Sequence, residues 1–230
     1  MSEPSCSPLL ICGWNDQGRR MLSDLREVLK PTELTLICQP HEALESVLKD
    51  FPELHHIDGD PTNNEDLLAG GVEAVDVVLV LSDQSLKGSQ HTLDARTILT
   101  ILTIREVSPD VHIIAEVNCE ENVDLAIHAG VDEWLRPNQF SGVMLSQAVQ
   151  SSGLSELFTQ LFETGAGTAF RYRPLPQNYL DLPFHQAVER TMAEARGALV
   201  GVESGGALRL PPDADYRLQE GDQLLLVERI

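Results

Sequence analysis

The chain has 230 residues, which is enough for one domain of about 130–150 residues and a smaller second domain. Its formal net charge of −20 argues against binding to nucleic acid or to anionic lipid, because the phosphates of both would repel it. No stretch approaches the ~18 apolar residues of a membrane span, and residues 1–8 lack the features of a signal peptide, so we expect no direct membrane insertion.

Strand-like and helix-like patterns alternate over residues 1–137. Short apolar runs predict six strands, at 9–12, 34–38, 55–57, 75–81, 111–115 and 133–135. Apolar residues at helical spacing predict helices between them, and the first of these, at 21–29, should stop at Lys30-Pro31. The helix at 92–107 is apolar nearly all round, so we expect it to be largely buried. This alternation predicts an α/β fold with a Rossmann-like, doubly wound parallel sheet.

The pattern changes after Pro137. Residues 138–164 predict a helix, a turn and a second helix with an apolar stripe, which either packs on its own domain or forms a two-fold interface between subunits. Residues 165–230 predict a small α+β lobe with strands at 169–172, 198–203, 207–210 and 223–227 and a helix at 184–195. Gly205-Gly206 predicts a hairpin turn within it. The expected domains are therefore 1–137, 138–164 and 165–230.

The first strand–helix turn, Gly13 to Gly18, resembles a dinucleotide-binding turn with one departure. The GxGxxG fingerprint has a glycine in the middle, where the backbone approaches a pyrophosphate, and Asn15 occupies that position here. The acid expected about 20 residues later is replaced by Gln39. The turn is either a degenerate nucleotide pocket or a purely structural one. If it binds a nucleotide, the candidate contacts are Gly13, Asn15, Asp16, Gly18, Gln39 and Asp60.

Oxygen-bearing side chains follow the predicted fourth and fifth strands. Asp83 follows the fourth strand, and Glu116 and Asn118 follow the fifth. Ligands bind at the carboxyl ends of strands in such sheets, and hard cations prefer carboxylate and amide oxygens. Each carboxylate alone is more typical of a helix cap or a solvated loop residue. The sequence thus gives Asp83, Glu116 and Asn118 as candidate metal ligands.

Catalytic and zinc-binding motifs are missing from the sequence. It contains no GxSxG, no HExxH and no P-loop lysine, and its histidines are scattered. The cysteines form no CxxC pair and lack zinc-finger spacing, so reduced thiols are expected: Cys6, Cys12, Cys38 and Cys119. We therefore expect a protein that is not an enzyme.

Several segments resemble the RCK domain, the regulator of potassium conductance, also called KTN. They are residues 10–14, Gly59-Asp60-Pro61-Thr62, residues 113–116, residues 130–137 and the final stretch from Pro211 to Asp222. The likeness is nearest to the gating domains of calcium-gated prokaryotic potassium channels. It implies a Rossmann lobe, a dimerising helix–turn–helix and a C-terminal lobe, with eight such domains forming a ring below a pore at the inner face of the membrane.

The resemblance also implies ligands and a function. In calcium-gated relatives, carboxylates after strands four and five hold the ion; Glu116 matches the first strand-five position, Asn118 the second, and Asp83 is nearest to the strand-four acid. Nucleotide-binding relatives carry a full GxGxxG. We expect a cytoplasmic ligand-sensing domain that controls a potassium channel through calcium, another divalent cation or an adenine nucleotide such as ADP, AMP or NAD. The alternative is a peripheral regulatory subunit of a Trk/Ktr-type potassium transporter.

Overall fold

The computed structural model describes residues 8–28, 33–84, 88–150, 153–162, 168–194 and 197–229. Cys6, the predicted helix stop at Lys30-Pro31 and the predicted helix end at Ala195 lie outside these ranges. The chain divides into two compact units, Met1–Ser146 and Gln147–Ile230. The division falls within the helix pair predicted from the sequence.

The first unit contains a six-stranded, wholly parallel sheet in the order β3-β2-β1-β4-β5-β6. The strands are β1 (Leu9–Cys12), β2 (Leu34–Cys38), β3 (Leu54–Asp58), β4 (Val77–Val80), β5 (His112–Glu116) and β6 (Glu133–Leu135). The helices are α1 (Gly18–Val28), α2 (Leu44–Asp50), α3 (Asn64–Ala69), α4 (Gln90–Val107) and α5 (Val123–Ala129), and a further helix, α6 (Pro137–Gln150), contains the division between the units. This order is that of a Rossmann sheet and confirms the predicted fold class.

The central strands β1 and β2 are buried on both faces, which explains why their residues are almost all apolar. Successive side chains point to opposite faces, so Leu10 belongs to one core cluster and Ile11 to another. The first cluster includes Ile101 and Ile104 of α4, and the second includes Leu22 of α1. The carboxyl ends of β1, β4 and β5 meet at one edge of the sheet, where β1 lies between β2 and β4.

The prediction that α4 is largely buried holds for only part of the helix. Leu99 and Leu102 are each 49% exposed. The buried face of α4 instead includes polar side chains alongside its isoleucines: Asp94, Thr97, Thr100 and Thr103. A uniformly apolar pattern does not reveal which face of a helix packs, and a buried polar group with hydrogen-bond partners can replace an apolar one.

The second unit contains an antiparallel sheet in the order β7-β10-β8-β9. Its elements are α7 (Leu154–Phe162), β7 (Thr168–Pro174), α8 (Phe184–Ala193), β8 (Ala198–Ser204), β9 (Ala207–Arg209) and β10 (Gln223–Arg229). Gly205 and Gly206 both have positive φ, 59° and 83°, as a tight hairpin turn between β8 and β9 requires. The small α+β lobe predicted from the sequence is therefore present.

Apolar side chains on α6 and α7 are solvent-exposed in the single chain. Leu145 is 72% exposed and Val149 is 90% exposed, and these two lie one turn apart on α6. Leu157 on α7 is 47% exposed. Ser151, Ser152 and Glu163, which belong to the predicted turn and helix end, lie outside the described ranges. Within those ranges, no helix has the length and apolar character that crossing a membrane requires.

Candidate functional site

The turn between β1 and α1 packs directly on the loop that follows β4. Gly13 has a φ of +84°, and a Cβ atom there would lie 2.9 Å from the carbonyl oxygen of Leu81. The backbone N–H of Gln84 donates to the carbonyl of Trp14 at 2.9 Å. Glycine is therefore required at position 13 for both conformation and space.

Gly18 is required for a different reason. A Cβ atom at this position would lie 2.7 Å from the indole ring of Trp14. The Trp14 ring in turn stacks on His41, with the ring centroids 5.6 Å apart. The last glycine of the turn thus lets the start of α1 approach a buried tryptophan.

Asn15, in the middle of the turn, is almost completely buried at 4% exposure. Its side-chain Nδ2 donates to Glu116 Oε2 at 2.7 Å, and its Oδ1 accepts from the backbone N–H of Gln17 at 3.0 Å. Both ends of the amide are therefore engaged within the protein. The side chain joins the β1–α1 turn to the end of β5.

Glu116 connects three loops at the carboxyl edge of the sheet. Besides the bond from Asn15, its Oε2 accepts from the backbone N–H of Ser82, after β4, at 2.9 Å. Burial raises the pKa of Glu116, and the hydrogen bonds from Ser82 and Asn15 only partly oppose this effect. A partly buried carboxylate thus lies where the loops after β1, β4 and β5 meet, and we call Asn15, Ser82 and Glu116 the Glu116 junction.

Asp94 fixes the loop after β5 from the other side. It is fully buried in α4 and accepts four hydrogen bonds, from the backbone and side chain of Asn118, the backbone of Cys119 and the side chain of Asn122. Burial alone would raise the pKa of Asp94, but these bonds outweigh burial and hold it below its usual value. Asn118 also donates to Ser82 Oγ at 2.9 Å. Asp94 was missed from the sequence, although an acid close to the apolar positions of a helix was a usable signal.

A cleft of about 490 Å³ opens beside the Glu116 junction. Its walls combine an indole and aliphatic groups with a few polar side chains: Gln17, Glu116, Trp134, Leu135, Arg136, Pro137, Gln139 and Val143. Such a cleft suits a planar ring stacked on Trp134 with an anionic group near Arg136. None of the lining residues after Glu116 was named as a site residue from the sequence.

The other predicted nucleotide contacts, Gln39, Asp16 and Asp60, differ from one another in their surroundings. Gln39 and Asp16 are exposed. Asp60 forms a salt bridge with Arg96 at 2.8 Å and accepts hydrogen bonds from the backbone and hydroxyl of Thr62. Burial would raise the pKa of Asp60, but the bonds from Thr62 and Arg96 outweigh it and lower that pKa. The Asp60 carboxylate thus ties the end of β3 to α4.

The predicted metal ligands have different surroundings. Asp83 lies next to Gly13, where its Cβ would be 3.3 Å from an added Cβ atom, and it lines a water-sized pocket of about 10 Å³. Glu116 lines the larger cleft, and the Asn118 amide is held by Asp94 and Ser82. Within the described ranges, the compact group of three or more His, Cys, Asp or Glu ligand atoms includes neither Asp83 nor Glu116.

Comparison with known proteins agrees with this architecture. The family model described as the TrkA-N domain matches residues 9–137. A calcium-gated potassium channel of Thermoplasma volcanium is 26% identical over 222 residues, covering 96% of this chain and 62% of the channel. The chain therefore spans only about three fifths of that relative.

Two solved structures share the fold. The human SLO3 gating ring aligns with a TM-score of 0.76 at 17% identity, covering 95% of this chain and 43% of the ring's chain. The GsuK RCK domain aligns with a TM-score of 0.53 at 22% identity, covering 98% of this chain and 44% of the other.

Proposed function

The chain belongs to the TrkA-N (RCK) domain family, and we propose that it is the ligand-sensing regulatory domain of a potassium channel, acting at the cytoplasmic face of the membrane and not as an enzyme. The observation that carries the proposal is the Glu116 junction. One carboxylate joins the loops after β1, β4 and β5 at the sheet edge where Rossmann folds bind ligands. A ligand that competes for either hydrogen bond changes how these loops are held together.

Curated relatives of this chain favour the channel over a transporter subunit. The Thermoplasma protein is a calcium-gated potassium channel, and a protein of Methanocaldococcus jannaschii that is 22% identical over 215 residues is potassium channel protein 1. The family's TrkA-N description keeps a transporter subunit as the second candidate. Ligand sensing by the same loops applies to both.

An adenine nucleotide is the ligand that the cleft supports best. Trp134 offers a flat apolar surface for a base, and Arg136 offers a cation for a phosphate. The carboxylate of Glu116 suits a ribose hydroxyl, which can donate a hydrogen bond to it. Calcium or another divalent cation at Asp83, Glu116 and Asn118 is the alternative, and it would have to draw Glu116 away from its present donors.

In this proposal, the assembly of several identical chains transmits ligand binding to the pore. The exposed apolar side chains of α6 and α7 favour a two-fold contact between chains, and a second, different contact between such dimers would build a ring. A ligand that binds one arrangement of the ring better than another shifts the population toward it. That differential affinity is sufficient to open or close a pore.

Calorimetry with purified protein tests the ligand part of the proposal. AMP, ADP, NAD, calcium and magnesium are titrated into the unmodified protein and into Trp134→Ala and Glu116→Gln variants. We expect a nucleotide to bind and Trp134→Ala to weaken it about 5- to 100-fold, as expected for loss of base stacking. Leu125→Ala, which trims an exposed side chain on α5 outside the cleft, should leave binding unchanged.

Two results would contradict the nucleotide assignment. The first is equal affinity in the Trp134→Ala variant and the unmodified protein. The second is binding of calcium alone, with loss of that binding in Glu116→Gln, which would assign the ligand to the acidic set. A monovalent salt at matched ionic strength separates specific cation binding from general screening.

A further inference from the structure

A histidine, a cysteine and a glutamate converge on the side of the β5–α5 loop that faces the start of α4. The three are His91, Cys119 and Glu121, and their potential ligand atoms all lie within 4.8 Å of one another. Within the described ranges, this is the one group of three or more His, Cys, Asp or Glu side chains with that compactness. The group shares no residue with the cleft or with Asp83, Glu116 and Asn118.

Two elements bring the three side chains together. His91 lies in the first turn of α4, three residues before Asp94, so both side chains are on the same face of the helix. Asp94 accepts the backbone N–H of Cys119 at 2.8 Å and thereby holds the β5–α5 loop against that face. Glu121 follows in the short 3-10 helix that begins directly after Cys119.

Asn122 links His91 to the buried Asp94 side chain. Asn122 Nδ2 lies 3.3 Å from His91 Nδ1 and donates to Asp94 Oδ2 at 2.9 Å. Asp94 is fully buried, so the framework behind the three side chains is fixed while His91 and Glu121 themselves are exposed.

We infer that His91, Cys119 and Glu121 form a binding site for a zinc-class transition-metal ion. An imidazole nitrogen, a thiolate sulfur and a carboxylate oxygen are the donors that Zn²⁺ prefers, whereas calcium and magnesium prefer oxygen alone. The thiolate and the carboxylate together balance the charge of a divalent ion. A water molecule completes the tetrahedron at the fourth position.

The distances between the three potential ligand atoms need only a small adjustment to fit a tetrahedral zinc site. In a tetrahedral site with bonds of about 2.0–2.3 Å, ligand atoms lie about 3.3–3.8 Å apart. The present limit of 4.8 Å therefore requires a contraction of about 1 Å, which rotation of the exposed His91 and Glu121 side chains can provide. Burial raises the pKa of the Cys119 thiol, helped by Asp94 and Glu121, so the metal must displace a proton from it.

The site does not depend on the proposed channel function, and cobalt substitution tests it directly. The experiment uses a Cys6→Ser background, because this thiol near the N-terminus could bind metal by itself. Stoichiometric Co²⁺ is expected to give a thiolate-to-metal charge-transfer band in the near ultraviolet and the visible absorption of a tetrahedral ion. One equivalent of Zn²⁺ should displace it, while excess Ca²⁺ should not.

Matched variants identify the ligands. Cys119→Ser should abolish the charge-transfer band, and His91→Gln should weaken Co²⁺ binding at least about 10-fold. His128→Gln removes another exposed histidine, on α5, and should leave the band intact. Far-ultraviolet circular dichroism without metal checks that each variant is folded.

The inference is overturned if the Cys6→Ser protein gives no charge-transfer band. It is equally overturned if the band survives in folded Cys119→Ser, or if His91→Gln and His128→Gln bind Co²⁺ alike. Because His91 is exposed, His91→Gln should fold normally. Its comparison with His128→Gln therefore still tests the site if Cys119→Ser fails to fold.

Discussion

Glu116 is the side chain that links the loops after β1, β4 and β5. Its Oε2 accepts both the Asn15 side chain and the Ser82 backbone, so the carboxylate stays within the protein although burial disfavours its charge. The folded protein therefore holds a proton on Glu116 more tightly than the unfolded chain does. The stabilisation from that protonated form is complete below the usual pKa of 4.5 and is lost as pH rises through the higher, folded-state pKa.

Replacing Glu116 with glutamine should reveal this dependence. The amide oxygen of glutamine can accept the same two hydrogen bonds without a charge. Urea unfolding at pH values from 4.5 to 7.5 should therefore show the unmodified protein losing stability relative to Glu116→Gln as pH rises. Glu42→Gln, which removes an exposed acid, corrects for the change in net charge. If the unmodified protein instead gains unfolding free energy relative to Glu116→Gln as pH rises, the prediction is wrong.

Asp94 should be a large single contributor to stability. In Asp94→Asn, the amide NH₂ must face two of the four present hydrogen-bond donors, which leaves buried polar groups unpaired. We expect a loss of about 2–4 kcal/mol in the free energy of unfolding. Asp110→Asn, at an exposed position, should change it by less than about 0.5 kcal/mol. Equal stability of the two variants would show that the Asp94 network contributes little.

At the scale of single elements, the β1–α1 turn depends on the contact between Gly18 and Trp14. Gly18→Ala places a methyl group 2.7 Å from the indole, so a loss of about 1–3 kcal/mol in unfolding free energy is expected from urea denaturation. A double-mutant cycle with Trp14→Leu isolates the contact, because the alanine should cost less when the indole is absent. The same cost in both backgrounds would mean that the clash is not with Trp14.

The elements were more predictable from sequence than the contacts between their ends. Strands β1, β2 and β6 have the predicted bounds, since short apolar runs between turn residues leave few alternatives. The left-handed Gly130 after α5, with φ +99°, was also predictable from the helix end. The exposure of Leu99 could not be predicted, because a helix with apolar residues nearly all round does not reveal which of its faces is buried.

The sequence allows candidate site side chains to be chosen by residue type but does not reveal their partners. Glu116 was identified as a candidate ligand because it ends a strand, yet its bond to Asn15 joins residues far apart in the chain. His91, Cys119 and Glu121 match no spacing motif, and only the packing of α4 on the β5–α5 loop brings them together. Such clusters depend on tertiary contacts that local patterns do not encode.

At the scale of the whole molecule, the exposed face of α6 should hold two chains together. The double substitution Leu145→Glu, Val149→Glu places charges on this face and should halve the mass measured by light scattering at the same concentration. Leu208→Glu, at an exposed leucine on β9, is the matched control and should keep the assembled mass. An unchanged mass in the double variant would place the interface elsewhere.

Potassium current under control of a ligand tests the central proposal most directly. The full protein carrying this domain is reconstituted in a planar bilayer, and the ligand found by calorimetry is added on the side that faces the domain. We predict a potassium-selective current whose open probability changes with ligand, and a 5- to 100-fold shift of the required concentration in Trp134→Ala, matching the change in binding. A potassium current that is indifferent to the bound ligand, or the absence of any potassium current, would contradict the account.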